Sequence, residues 1–240
     1  MHRFYAPKIA FAAERILLGG DETHHLRDVL RHDEGDEVLV FDGEGCEYLV
    51  RIETIGKKES LLTLIEKVGP SAPESPLDLT LAAAILKGEK FDLVIQKAVE
   101  LGVKRLVPLQ TIRCEVKIND GEKKRARWQK IALDAAKQCG RATLMTVENP
   151  VEFARFIDQT EQGGRRLLFS ERDGEPAGMI EISLKITAIV GPTGGWDDGE
   201  LEAARQSGAR IITFGGRILR ADTAAISIAT ILQHRFGDMN

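Results

Sequence analysis

The sequence has few cysteines, few aromatic residues and no long uncharged hydrophobic run. Its three cysteines, Cys46, Cys114 and Cys139, are too few and too widely spaced for a disulfide framework or a zinc site, which favours three reduced thiols. No apolar stretch of about 18 residues occurs, so no membrane-spanning helix is predicted. The N-terminal residues lack the apolar segment of a secretory signal. We therefore expect a cytoplasmic protein that binds neither a membrane nor a metal ion.

The composition is that of a globular chain with an uneven charge distribution. Of its 240 residues 43% are hydrophobic and 29% charged, enough for one large domain or two small ones. The net charge is −4, but residues 71–150 carry 14 basic and 10 acidic side chains, whereas residues 1–70 carry 9 and 14. Much of this excess lies between Arg113 and Lys130. Such a run indicates either a phosphate-binding surface or a solvated helix face.

A proline-rich segment predicts two domains. Three of the eight prolines lie in residues 69–76, which favours a linker at 71–76 between domains at 1–70 and 77–240. The first domain contains short β-branched runs separated by a turn at 42–45, and one helix fits residues 24–31. We expect a small β-barrel there.

The second domain alternates apolar strands with amphipathic helices. Strands are predicted at 77–86, 105–109, 166–169, 187–190 and 211–214, with helices at 91–101, 123–139, 198–206 and 221–234. Strands that are apolar on both faces and alternate with helices indicate an α/β domain with a mostly parallel sheet.

Glycine clusters follow the last two predicted strands, at 191–195 and 215–216. Ligands of open α/β sheets bind at the carboxyl ends of the strands, so these loops predict a small-molecule pocket, with tight turns as the alternative. No GxxxxGK[ST] motif occurs, and no GxGxxG follows the first strand, which excludes a P-loop and a dinucleotide fold. Cys139 lies on an apolar helix face, which favours an inert thiol over a nucleophile.

Several motifs follow one another along essentially the whole chain. They are Arg3-Phe4-Tyr5, His25-Leu26 with Val29-Leu30-Arg31, Lys87-Gly88-Glu89-Lys90, the stretch 95–102, Arg113-Cys114, Arg127-Trp128, Gln138-Cys139-Gly140-Arg141, GPTGG at 191–195 and GGRILRADTA at 215–224. In this order they resemble the RsmE family of 16S rRNA uracil-N3 methyltransferases, of the SPOUT class. The family pattern differs at Thr193, Gly216, Ala221 and Asp222, where Glu, Pro, Thr and Glu are usual.

The resemblance implies a fold, a cofactor and an assembly. The fold is a SPOUT-type trefoil-knotted parallel-sheet domain preceded by a small PUA-like β-barrel, and the cofactor is S-adenosylmethionine. A homodimer with its active site near the subunit interface is implied as well. The implied cofactor-binding residues are Leu168, Phe169, Ser170, Gly191, Pro192, Gly194, Gly195, Phe214, Gly215, Ile218, Leu219 and Arg220.

The implied reaction is methylation of N3 of a uridine in 16S rRNA, with the assembled small subunit as the expected partner. Arg220 is the candidate catalytic residue, because N3 must lose a proton and a cation can hold the resulting anion. Two alternatives are methylation of another RNA such as tRNA, and an RNA-binding assembly module with a vestigial cofactor pocket. The predicted RNA-binding residues are Arg3, Arg27, Arg31, Lys87, Lys90, Arg113, Lys123, Lys124 and Arg127.

Overall fold

The chain folds into two compact units. The computed structural model describes residues 1–117, 120–159 and 164–239. One unit comprises Met1–Glu74 with Ala136–Leu144, and the other comprises Ser75–Ala135 with Met145–Asn240. The division at Glu74 falls inside the predicted linker. Residues 136–144, by contrast, were assigned to the second domain by sequence and group with the first unit.

The first unit is built on one curved sheet. Within the described residues its six strands are β1 (Arg3–Tyr5), β2 (Phe11–Ala12), β3 (Arg15–Leu18), β4 (Glu37–Phe41), β5 (Glu47–Ile55) and β6 (Ser60–Val68). They pair in the order β1-β4-β5-β6-β3-β2, with β1 parallel to β4 and the other pairs antiparallel. No pairing joins β1 to β2 among these residues, so the predicted barrel is a half-barrel.

A short helical segment covers the core of this sheet. Helix α1 (Gly20–His24) continues as one π-helical turn over His25–Val29. The Thr23 hydroxyl donates to the Leu18 carbonyl at 3.0 Å, and Leu26 is fully buried. The helix starts four residues before the predicted 24–31. Asp21 and Glu22 lie in its first turn, where acidic side chains interact favourably with the positive end of the helix dipole.

Arg3 explains why residues 136–144 belong to the first unit. Its guanidinium donates to the carbonyl oxygens of Ala136, Lys137 and Arg141 at 3.0–3.3 Å, and its Nε lies 2.6 Å from Glu47 Oε1. The Arg3 side chain is only 9% exposed. With its donors committed inside the unit, Arg3 is a structural residue. This corrects its prediction as an RNA contact.

We expect Glu47→Gln to destabilise this unit by about 3 kcal/mol, because it leaves the buried Arg3 guanidinium without its counter-charge. The Glu47 carboxylate is fully buried and also accepts from the Ser71 amide at 2.7 Å and the Ser71 hydroxyl at 3.0 Å. Urea unfolding would measure the loss. The matched control is Glu44→Gln, since Glu44 pairs with Lys8 at 2.9 Å on the surface and such pairs contribute less than about 1 kcal/mol. Equal midpoints for the two variants would contradict this account.

The second unit contains an eight-stranded sheet within the described residues. Its strands are β7 (Asp78–Ala84), β8 (Arg105–Gln110), β9 (Thr146–Val147), β10 (Val151–Glu152), β11 (Arg165–Ser170), β12 (Glu175–Pro176), β13 (Lys185–Val190) and β14 (Arg210–Thr213). The order is β10-β8-β7-β13-β11-β14-β12, β9 also pairs with β8, and all these pairs are parallel. The predicted parallel sheet is confirmed, and the three shortest strands were not predicted.

Helices cover both faces of this sheet, as a parallel sheet requires. They are α2 (Glu89–Glu100), α3 (Gly121–Cys139), α4 (Phe153–Ile157), α5 (Asp198–Gln206) and α6 (Ala221–Phe236). Phe153 of α4 and Leu201 of α5 share one buried cluster with Leu168 and Ile189 of the sheet. On the other face α6 packs on β7, β13 and α2. None of the helices in the described part has the length and apolar character needed to cross a bilayer.

Candidate functional site

The carboxyl ends of β11, β13 and β14 surround a cavity of about 250 Å³. Three segments line it: residues 169–171 at the end of β11, residues 190–196 at the end of β13, and the loop from Phe214 into the start of α6. Because β11 pairs with both β13 and β14, these loops are adjacent. We call this space the strand-end cavity. The two glycine clusters therefore lead into one concave site.

Gly191 makes the closest backbone approach in this cavity. A Cβ atom at this position would lie 2.9 Å from the indole ring of Trp196, which is closer than carbon atoms pack. The ring is fixed, because Trp196 is 1% exposed and its Nε1 donates to the Phe169 carbonyl at 2.8 Å. Only glycine fits at 191 without moving the wall of the cavity.

Two charged residues stand on the cavity wall within the described chain, Glu171 and Arg217. Gly195 lies beside the carboxylate with φ +72°, and a Cβ there would be 3.2 Å from Glu171 Oε1. Glu171 lies 3.8 Å from the guanidinium of Arg172, whose stronger contact is with Asp198 at 2.6 Å. That contact raises the pKa of Arg172. The Glu171 carboxylate and the Arg217 guanidinium can thus both reach a polar ligand in the cavity.

The second loop is braced from outside the cavity by Arg113 and by the start of α5. Arg113 donates to the Gly194 carbonyl at 3.4 Å and to Asp197 Oδ2 at 3.2 Å. Asp197 caps α5 in a reciprocal arrangement with Glu200. The buried Glu200 carboxylate also accepts from the Ile112 amide at 2.9 Å. Arg113, which is predicted to bind RNA, supports this loop, and its side chain remains 44% exposed, so its contact with RNA stays a prediction.

Most of the predicted cofactor-binding residues lie on the cavity wall. They are Phe169, Ser170, Gly191, Pro192, Gly194, Gly195, Phe214, Ile218 and Leu219. Leu168 does not: it is fully buried, and β11 pairs on both sides at this position. This corrects its prediction as a ligand.

Gly215 and Arg220 are also absent from the described wall. Arg220 is exposed at the N-cap of α6, where its carbonyl accepts from the Ala224 amide at 2.7 Å. The sequence prediction missed Glu171 and Trp196, and it did not name Arg217 individually among the cofactor-binding residues. The sequence signal that could have indicated them is their position, directly after a predicted strand or beside a glycine cluster.

The predicted RNA-binding residues fall into several environments. Arg27 is bound to Asp28 at 2.6 Å and donates to the Gly56 carbonyl at 2.9 Å. The Arg27 guanidinium, together with His24, lowers the pKa of Asp28 to about 2, so this pair is charge-balanced at neutral pH. Arg127 is paired with Asp92, which raises its pKa. Arg31, Lys87, Lys90, Lys123 and Lys124 are exposed, as are Arg113 and Arg127.

Comparison with known proteins places this geometry in a family. A family model for an RNA methyltransferase domain matches residues 73–233, and a model for an RNA methyltransferase PUA domain matches residues 18–65. The chain is 32% identical to ribosomal RNA small subunit methyltransferase E of Synechocystis, over 94% of this chain and 77% of that protein. It belongs to the ribosomal RNA small subunit methyltransferase E family.

Two solved structures of similar proteins contain the cofactor. Ribosomal RNA small subunit methyltransferase E from Neisseria gonorrhoeae, bound to S-adenosylmethionine, matches with a TM-score of 0.92 and 32% identity over all of both chains. A Legionella pneumophila protein in complex with the same cofactor matches at 0.91 and 31%, over 98% of both chains. The α/β fold of the SPOUT class with a PUA-like first domain is therefore confirmed. The trefoil knot stays a prediction.

Proposed function

We propose that this protein transfers the methyl group of S-adenosylmethionine to N3 of a specific uridine in 16S rRNA of the small ribosomal subunit. One observation carries the proposal. The chain belongs to a methyltransferase family, and three of its loops form a cavity at the carboxyl ends of neighbouring parallel strands. Gly191 lies on the wall of this cavity, where no side chain fits. A cavity at this edge of the sheet is where such folds bind small ligands.

The residues of the cavity fit this cofactor. Gly191 and Gly195 bring backbone amides and carbonyls to the wall, which suits an adenine edge, while Phe214 and Leu219 provide apolar surface. Arg217 can hold the methionyl carboxylate, and Glu171 can accept from the ribose hydroxyls or face the ammonium group. When bound, the cofactor supplies a methyl group on a positively charged sulfur.

The acceptor places its own demands on the protein. Methylation would replace the N3–H proton, which is released to the surrounding water, with the methyl group that the cofactor's sulfur gives up. Arg220 lies between the third loop and α6, where its guanidinium can hold the uridinate charge or a neighbouring phosphate. The N3 edge of a paired uridine is occupied, so the target is unpaired or flipped out.

The proposed partners follow from this chemistry. The exposed Lys87, Lys90, Lys123 and Lys124 supply phosphate contacts, and the PUA-like half-barrel adds a second RNA-binding element. We include in the proposal that the enzyme is a homodimer. We also include that it modifies the assembled subunit, in the cytoplasm where that particle resides.

Primer extension tests the substrate and the atom together. A methyl group on N3 blocks base pairing, so reverse transcriptase stops beside the modified uridine. We expect a new stop in 16S rRNA after the protein and S-adenosylmethionine are incubated with small subunits that lack the modification. A stop in tRNA instead would move the activity to another RNA. No stop in any RNA, with the cofactor unbound, would support an assembly module with a vestigial pocket.

A further inference from the structure

A second cavity, of about 230 Å³, lies at the carboxyl end of β7 under the first turns of α2 and α3. We call it the β7-end pocket. Its apolar surface comes from Ile85, Leu86, Phe91, Val116 and Trp128. Four charged side chains complete the wall: Glu89, Asp92, Lys124 and Arg127. An apolar floor with a few convergent polar groups is the composition of a small-ligand site.

The β7-end pocket is next to the strand-end cavity. Strand β7 pairs with β13, with Ala83 opposite Val190, so the ends of these two strands are neighbours. One segment contacts a lining residue of each space. Arg113 donates to the Gly194 carbonyl in the second cofactor loop, and the Cys114 thiol donates to the Ile85 carbonyl at 3.0 Å. Residues 113–114 therefore connect the linings of the two spaces.

The charged groups of the pocket suit the edge of a nucleobase. Arg127 donates from both terminal nitrogens to the two carboxylate oxygens of Asp92, which is 15% exposed. Each guanidinium nitrogen keeps further N–H groups and each carboxylate oxygen keeps a further lone pair. The pair thus offers a donor beside an acceptor. Unpaired bases present the same alternation on their Watson–Crick edges.

The surroundings of the pocket suit a phosphate chain. On the wall, Lys124 and Arg127 balance Glu89 and Asp92, which fits a neutral base. Lys87 lies on the turn that leads from β7 into α2, Lys90 lies in the first turn of α2, and both are exposed beside the pocket. A neutral pocket flanked by lysines matches a nucleotide, whose base is uncharged and whose phosphates are anionic.

We propose that the β7-end pocket binds one unpaired base of the RNA substrate, with the Asp92–Arg127 pair on the base edge and Lys87 and Lys90 on the adjoining phosphates. The proposal rests on the proposed function in requiring an RNA substrate. Asp92 acquires a binding role in addition to its ion pair. The proposal also accounts for the basic run between Arg113 and Lys130. The sequence indicates either a phosphate-binding surface or a solvated helix face there, and a nucleotide site would explain why Trp128 lies against a cavity.

The fluorescence of the two tryptophans can report ligand binding in each cavity separately. Trp196 lies on the strand-end cavity and Trp128 on the β7-end pocket, and they are the only two in the sequence. In a Trp196→Phe variant, the fluorescence of Trp128 reports on the pocket. We would titrate this variant with the oligonucleotide U5, with A5 and C5, and with an abasic chain of equal length. We expect the base-containing chains to change Trp128 emission and the abasic chain to leave it unchanged.

Three substitutions in this background test the assignment. Arg127→Gln should weaken U5 binding about tenfold, because a charged donor to the base edge is lost. The matched control is Arg125→Gln, which removes the same charge from the exposed side of the same helix and should change affinity less than about twofold. Val116→Phe fills the pocket without breaking the ion pair, and should weaken binding even if Arg127→Gln lowers stability.

The outcomes separate this proposal from the proposed function. Equal responses to U5 and to the abasic chain would overturn it, and so would equal losses for Arg127→Gln and Arg125→Gln. If Val116→Phe binds U5 normally, the pocket is not the site. Cofactor binding, read from Trp196 in a Trp128→Phe variant, reports independently on the strand-end cavity. A cofactor-binding protein whose Trp128 ignores U5 would thus retain the proposed function and lose this inference.

Discussion

Gly191→Val raises the Kd for S-adenosylmethionine by about a hundredfold, or abolishes binding. Valine would put its Cβ 2.9 Å from the Trp196 ring, and its two methyl groups add further bulk beside that wall of the cavity. The ring cannot withdraw without breaking its hydrogen bond to the Phe169 carbonyl. A hundredfold loss corresponds to about 2.8 kcal/mol, within the cost of over-packing a tight site. Isothermal titration calorimetry would measure it.

Gly216 provides the control on the neighbouring loop. A Cβ at Gly216 would meet no atom within 4 Å, and its φ lies outside the left-handed range. Gly216→Ala should therefore bind the cofactor within about twofold of the original protein. If Gly191→Val binds as well as Gly216→Ala, the cofactor does not occupy the strand-end cavity.

Arg220→Ala lowers the turnover number by about a hundredfold and leaves the Kd for the cofactor within about twofold. The reason is positional: Arg220 is exposed at the start of α6 and absent from the described wall of the strand-end cavity. A group that stabilises charge only in the transition state changes kcat without changing ground-state binding. Single-turnover methyl transfer together with cofactor titration separates the two quantities.

Arg217→Ala is the matched comparison for Arg220→Ala. Arg217 lies on the cavity wall, so its loss should weaken cofactor binding by about tenfold, in line with one charge-assisted hydrogen bond. Loss of Arg217 should thus change the Kd for the cofactor, whereas loss of Arg220 should change kcat. Equal loss of cofactor affinity in both variants would remove the catalytic assignment of Arg220 and leave it a ligand or a structural residue.

Local patterns made much of the second unit predictable. Helix α5 occupies the predicted 198–206, and α3 begins two residues before the predicted 123. Apolar periodicity and glycine positions determine these elements directly, since buried strands and amphipathic helices have different repeats. The two glycine clusters predicted a pocket for the same reason, because strand ends in a parallel sheet meet at one edge.

Long-range contacts account for what sequence reasoning missed. Arg3 resembled a surface cation, but a buried Glu47 and three carbonyls from residues 136–144 bind it, and nothing near it in the sequence indicates those partners. Leu168 lay in a predicted ligand loop, yet it is fully buried within β11, and the cavity wall begins at the next residue, Phe169. Helix α4 was not predicted, since five residues are too few for a helical repeat to show.

The most direct test of the central claim is methyl transfer from radiolabelled S-adenosylmethionine to small ribosomal subunits that lack the modification, with free 16S rRNA and tRNA in parallel. Digestion to nucleosides and chromatography would identify the labelled product. The account predicts labelled N3-methyluridine from the small subunits, and at least tenfold less of it at subsaturating cofactor when Gly191→Val replaces the original protein. Label on any other atom or in tRNA alone would contradict the proposed reaction, and so would full transfer by Gly191→Val.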